Sequence, residues 1–166
     1  MIAIQKVKSE EILKVKELLS LTWKDTYGKY YSDEAVEKIT SKWHDPKLLK
    51  TQLKDPDIYF AKALDEKKNI VGIITLSNVN GETLFLHRLY VHPSAQGRGV
   101  GSQLLQSGLN YFSKAKKLKV ECEKQNDKAC AFYLKKGFKI VEEKNGQLEG
   151  VKIKTVIFEK NLQNST

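Results

Sequence analysis

The segment from Leu86 to Gly101 constrains this chain more than any other stretch. It reads Leu86-His87-Arg88-Leu89-Tyr90-Val91-His92-Pro93-Ser94-Ala95-Gln96-Gly97-Arg98-Gly99-Val100-Gly101. An apolar strand runs up to Pro93, three alternating glycines follow, and an amphipathic helix begins directly after them. Glycine permits positive φ and lets backbone N–H groups crowd towards a ligand. A helix start adds unpaired donors and a partial positive charge. Together these features predict a cradle for phosphate groups. Both arginines of the chain, Arg88 and Arg98, fall in this segment, whereas the other basic residues are all lysine. The arginine fork suits phosphate and carboxylate recognition.

Two nucleotide-binding patterns are excluded. The loop lacks G-x-x-x-x-G-K-[ST]. It also lacks G-x-G-x-x-G in a parallel strand–helix–strand unit, because the Asn80-Gly81 turn predicts antiparallel entry into the preceding strand.

The flanking elements follow from periodicity and turn residues. A first strand is expected over Ala3 to Val7. Ser9 is read as the N-cap of a helix whose stripe is Ile12, Leu13, Val15, Leu18, Leu19 and Thr22. Trp23 to Tyr31 reads as an aromatic-rich turn. Asp33 is placed to cap a short helix through Trp43, and Pro46 to open another through Leu53. Strands Tyr59 to Leu64 and Ile70 to Leu76 are joined by a hairpin turn at Asp65 to Asn69, and Thr83 to Val91 follows. A helix is expected from Gly99 to about Lys116, and a strand over Leu118 to Cys122. A second helix, Asp127 to Lys136, should stop at Gly137. Phe138 to Glu142 and Val151 to Phe158 then form a last hairpin. This order predicts an α/β (α+β) fold: a mixed, mostly antiparallel twisted sheet with helices on both faces.

With 166 residues the chain is read as one domain, residues 1–166. No apolar run reaches the roughly 18 residues that span a bilayer. The N-terminus has no signal-peptide pattern, so a cytoplasmic location without membrane association is expected. Cys122 and Cys130 have no C-x-x-C spacing, and His44, His87 and His92 mark neither a metal site nor a partner for a catalytic thiol. No metal is expected. The formal net charge of +9 and pI near 9.4 admit a basic nucleic-acid-binding module. However, the lysines are dispersed and no recognised nucleic-acid motif is present, so no nucleic-acid partner is expected.

Gln96-Gly97-Arg98-Gly99-Val100-Gly101, preceded by Leu89-Tyr90-Val91-His92-Pro93, resembles the Q/R-x-x-G-x-G/A signature of the GNAT superfamily of N-acetyltransferases. Asn126 to Phe138 is similar to that family's N-x-x-A-x-x-F/L-Y-x-x-x-G-F pattern. The resemblance is close over residues 70 to 140, and its nearest branches are the RimI-like and PaiA-like enzymes.

The resemblance implies acetyl-CoA as co-substrate and an amine as acceptor, either a small amine or polyamine, or a protein N-terminus or lysine. It also admits a homodimer. A non-enzymatic CoA-binding sensor is the alternative within the same resemblance. It implies that Gln96, Gly97, Arg98, Gly99, Val100, Gly101 and Ser102 hold the pyrophosphate. Leu89, Tyr90 and Val91 would pair with the pantetheine arm, the Leu89 N–H facing the thioester carbonyl, and Asn126 would bond the arm or cap its helix. Tyr133 is the expected general acid. Glu121, twelve residues earlier, is the expected base, with His87, Glu82 or a relayed water as competitors. Trp23 and Tyr27, four residues apart, are expected on the acceptor side.

Overall fold

The computed structural model describes residues 1–163. Seven strands form one sheet: β1 (Ala3–Lys6), β2 (Ile58–Leu64), β3 (Ile70–Asn78), β4 (Thr83–Val91), β5 (Lys117–Glu123), β6 (Lys139–Leu148) and β7 (Val151–Asn161). Their spatial order is β1-β2-β3-β4-β5-β7-β6. Every neighbouring pair is antiparallel except β4–β5. The five α-helices are α1 (Ile12–Tyr27), α2 (Asp33–Trp43), α3 (Pro46–Lys54), α4 (Val100–Tyr111) and α5 (Asp127–Lys135). The mixed, mostly antiparallel sheet expected from the sequence is therefore present.

Local chemistry sets the connections. Asp65 accepts from the N–H groups of Lys67 and Asn69 and closes the β2–β3 turn. Asn78 and Asn80 accept from Gly81, Glu82 and Thr83 and close the β3–β4 turn. The core divides by sheet face. Leu104 and Leu105 of α4 and Tyr133 of α5 pack with Ala61, Ala63, Ile74 and Leu86 on one side. Val15, Leu18 and Leu19 of α1 and Leu49 of α3 pack with Phe60 and Ile73 on the other. Helices thus cover both faces.

Several local expectations are corrected. Trp23 to Tyr27 is the last part of α1 and not a turn. Their rings stack at 4.1 Å and join Val36 and Ile39 in a third apolar cluster, and that burial extends the helix. Ser9 lies in a 3-10 turn before α1 and caps nothing, and Leu13 is 72% exposed and off the buried stripe. The cap of α2 is Ser32, whose Oγ accepts from the Ala35 N–H, and not Asp33. Helix α4 stops at Tyr111, short of Lys116, and the β6–β7 hairpin extends to Leu148. Strand β6 is exposed along most of its length, so no apolar pattern announced its second half. Among the described residues no helix is long and apolar enough to cross a membrane.

Candidate active site

The site forms where β4 and β5 part. These two parallel strands pair only from Thr83↔Lys117 to Leu86↔Val120. Immediately afterwards β4 is bulged: Leu76 faces Leu86 and Thr75 faces Arg88, which leaves His87 as the extra residue. A bulge bends its strand and adds twist. Beyond it, Leu89 to Val91 pair with β3 alone. The His92 N–H bonds the Val71 carbonyl, so strand alternation turns Tyr90 towards β3 and the polar groups of Leu89 and Val91 towards the open edge. The Val91 carbonyl does face that way, where the Gln96 side-chain amide donates to it at 3.0 Å. The amide of Gln96 therefore ties the glycine loop to the strand end.

Gly97 and Gly99 both have positive φ, +77° and +79°, and Gly99 is the cap residue of α4. Any L side chain would be strained at these positions. The first intrahelical bond runs from the Gln103 N–H to the Gly99 carbonyl. The N–H groups of Val100, Gly101 and Ser102 thus point out of the helix start without intrahelical partners, and no side chain caps them. The positive-φ glycines and the uncapped helix start expected from the sequence are therefore present.

A cleft of about 560 Å³ joins the two halves. It is lined by Leu89, Tyr90, Val91, Gln96, Gly97, Gly99, Val100, Gly101 and Ser102 from the β4–α4 side, and by Asn126 and Tyr133 from the α5 side. The structure therefore brings together all but one of the residues expected to hold the cofactor. Arg98 does not line the cleft and is exposed. Four lysines that sequence reasoning did not select (Lys29, Lys128, Lys135 and Lys136) line it against two aspartates, Asp25 and Asp127. That balance suits a polyanion.

Asn126 caps α5, its Oδ1 accepting from the Ala129 N–H at 3.1 Å, and its Nδ2 donates to the Tyr27 hydroxyl at 3.3 Å. Tyr133 is 6% exposed, with its ring against Phe132, Phe138 and Phe158. Among the described residues no group hydrogen-bonds its hydroxyl. Burial pushes the phenol well above its ordinary value, so it stays protonated at neutral pH.

The remaining expected residues lie elsewhere. Trp23 and Tyr27 are buried and do not line this cleft, while Thr22, Asp25, Thr26, Lys29 and Tyr30 of the same segment do. Glu121 is exposed, accepts from the Thr155 hydroxyl at 2.6 Å, and lines neither this cleft nor the one that adjoins it. His87, on the bulge, bonds Ser77 and stacks on Phe85, and burial lowers its pKa. Glu82 pairs with Lys116 at the start of β4, away from the opening.

A second cleft, of about 760 Å³, adjoins the first. Tyr30 and Gln125 line both. Its other walls are Tyr31, Glu123, Lys124 and the β6–β7 hairpin at Asn145 to Gln147 and Lys152 to Lys154. Glu123 is only 8% exposed. Among the described residues no group of three or more His, Cys, Asp or Glu side chains is placed to hold a metal ion.

The architecture and the two motifs agree with comparisons to known proteins. The model of the acetyltransferase (GNAT) family matches residues 14–138. The chain is 31% identical over 147 residues to the spermidine N(1)-acetyltransferase of Thermoplasma acidophilum, covering 84% of this chain and 89% of that protein. Among solved structures it is similar to the PaiA N-acetyltransferase of Thermoplasma acidophilum in complex with coenzyme A. That match has a TM-score of 0.86 and 26% identity, and it covers 97% of this chain and 99% of the other. The ribosomal-protein-S18-alanine N-acetyltransferase of Escherichia coli shares the fold at a TM-score of 0.72 and 15% identity, over 100% of this chain and 97% of that one. With the splayed β4–β5 edge, the glycine cradle and a family match over three quarters of its length, this chain belongs to the GNAT family of acetyltransferases.

Proposed function

We propose that this chain, an acetyl-CoA-dependent N-acetyltransferase, transfers the acetyl group to a primary amine of a small molecule by direct attack, with residues 1–166 acting as one catalytic domain. The observation that carries this reading is the pair of adjoining clefts. One offers an open strand edge and a phosphate cradle; the other ends on a buried carboxylate.

The residues present fit the co-substrate. The unpaired N–H groups of Val100, Gly101 and Ser102, with the lysines around them, would hold its pyrophosphate. The free edge of Leu89 to Val91 would pair with the pantetheine arm as an added strand does. Bound acetyl-CoA supplies an activated thioester carbonyl. The Leu89 N–H is oriented to donate to an oxygen at that edge as charge develops on it. Tyr133, whose hydroxyl has no hydrogen-bond partner among the described residues, would give its proton to the departing sulfur. Asn126 holds the start of α5, and with it the position of Tyr133.

The similarity to a spermidine acetyltransferase makes polyamines the leading acceptor class. A specific observation favours a second reading. Lys124, Lys152 and Lys154 line the second cleft, and among the described residues only Lys124 of these three is ion-paired, with Glu143. An acceptor that carries an anionic group beside its amine would meet less repulsion there than a polycation.

The test is thermal unfolding with and without millimolar acetyl-CoA, followed by thiol release with spermidine, L-lysine, tyramine and a peptide with a free N-terminal alanine. Co-substrate at ~100 times Kd adds about 2.7 kcal/mol of stability, a shift of several degrees. Absence of any shift, or of thiol release with every amine, would overturn the reading.

A further inference from the structure

We infer that Glu123, and not Glu121, receives the proton of the acceptor amine. This assignment rests on the acetyl-transfer reading and identifies the base within it. Spacing in the sequence singles out Glu121, but the folded strand carries that side chain to an exposed position bonded to Thr155. Glu123 lies two residues further along β5, at its last position, where the strand has parted from β4. Glu123 lines the second cleft, which adjoins the first through Gln125 and Tyr30.

Two physical features distinguish Glu123 from a structural carboxylate. First, a glutamate this buried is ordinarily paired with a cation, yet among the described residues no lysine or arginine forms an ion pair with it. The adjacent Lys124 is engaged by Glu143 instead. Second, the lysines that share its cleft, Lys124, Lys152 and Lys154, form no ion pair with it among the described residues, and the titratable groups closest to it carry no positive charge. Tyr27 and Tyr31 approach from the end of α1 and the segment after it, Cys130 from α5, and Cys122 from its own strand. All four stay neutral near pH 7, each held above its ordinary value mainly by burial. The Tyr31 hydroxyl and the N–H groups of Gln125 and Lys154 stabilise the carboxylate. Desolvation outweighs them and raises its pKa above the ordinary glutamate value. An unpaired buried carboxylate facing a solvent-filled cleft is suited to draw in an ammonium group.

The proton balance closes with the groups named. The acceptor enters as an ammonium ion and passes one proton to the Glu123 carboxylate. The freed nitrogen lone pair forms the N–C bond as the C–S bond breaks. The sulfur takes the Tyr133 proton, and the second nitrogen proton returns to Tyr133. Glu123 releases one proton to solvent per turnover.

The test compares wild type with Glu123→Gln and Glu121→Gln, using whichever of spermidine, L-lysine, tyramine or the alanine peptide wild type turns over fastest. The readouts are kcat/KM from pH 6 to 10 and the thermal shift with acetyl-CoA. Glu123→Gln is expected to keep the wild-type acetyl-CoA shift and to lose about 100-fold or more in kcat/KM at pH 7.5. It should recover partly as rising pH supplies free amine from solution. Glu121→Gln should retain the acidic limb of the wild-type profile. A wild-type profile in Glu123→Gln, or loss of the acidic limb in Glu121→Gln alone, would overturn the assignment. If Glu123→Gln fails to fold, Tyr31→Phe decides. It removes a group that stabilises the carboxylate, so the acidic limb should move to higher pH, and an unmoved limb would refute the role. Thiol release by wild type with none of the four amines would overturn the acetyl-transfer reading itself, and this inference with it.

Discussion

Asn126 joins the helix that carries Tyr133 to the aromatic floor of the site, and the strength of that joint can be measured. Its Oδ1 caps α5 and its Nδ2 bonds the hydroxyl of Tyr27, a buried side chain whose hydroxyl has no other hydrogen bond among the described residues. Asn126→Ala removes both interactions. Loss of a cap costs about 1 kcal/mol. Leaving a buried hydroxyl unpaired costs about 1–3 kcal/mol more. Taken together, Asn126→Ala should destabilise by about 2–4 kcal/mol, which moves the urea midpoint by about 1 M or more. In a Tyr27→Phe background the hydroxyl is already gone, so the same substitution should cost only the cap, about 1 kcal/mol. The difference is a coupling energy of about 1 kcal/mol or more in a double-mutant cycle. Equal costs of Asn126→Ala in both backgrounds would refute the joint, and Asn126 would then be a helix cap alone.

Three further outcomes are expected. Tyr133→Phe should lower kcat by about 100-fold while the acetyl-CoA thermal shift is unchanged, since the ring packing survives and only the donor is removed; unchanged turnover across pH would exclude Tyr133 as the acid. Gly99→Glu should abolish the acetyl-CoA thermal shift, because it puts a carboxylate beside the cradle at a φ of +79°. Gly99→Ala, whose Cβ meets nothing within 4 Å, should bind while losing about 1 kcal/mol of stability to backbone strain. His44 is buried with its Nδ1 unpartnered, and desolvation, reinforced by the nearby Arg88, lowers its pKa from 6.5 to about 3. The unfolded chain binds this proton below pH 6.5 and the native state does not, so stability falls as pH drops from 6.5 towards 3, by at most about 1.4 kcal/mol per pH unit. Urea denaturation from pH 7 to 4 should show a shallower acid loss in His44→Phe, and identical slopes would sink the assignment.

Much of the fold was readable in the chain because its signals are local. Asn80-Gly81 and Asp65 to Asn69 close hairpins with side-chain acceptors two to four residues away, and those bonds form wherever the chain turns. Gly97 and Gly99 bend the backbone through conformations their neighbours disfavour, so the cradle at the start of α4 follows from residue type. Asn126 at a helix start behaves likewise. Burial on one helical face marks Val15, Leu18 and Leu19, but at Trp23 to Tyr27 the aromatic run read as a turn. Only packing against Val36 and Ile39 keeps it helical. The site itself was partly hidden for a different reason. Whether a strand residue faces a cleft depends on where its strand stops pairing: the bulge at His87 is set against β3, about a dozen residues earlier, and the parting of β5 from β4 after Leu86 between segments some thirty residues apart. Strand alternation makes Glu121 and Glu123 equivalent in the sequence. Their burial, partners and access differ because one lies beside Thr155 and the other at the open end of the strand. The family and the glycine geometry at the start of α4 were legible in the residues alone. Only the tertiary structure decided which carboxylate reaches the cleft, since that choice rests on non-local strand pairing and on desolvation.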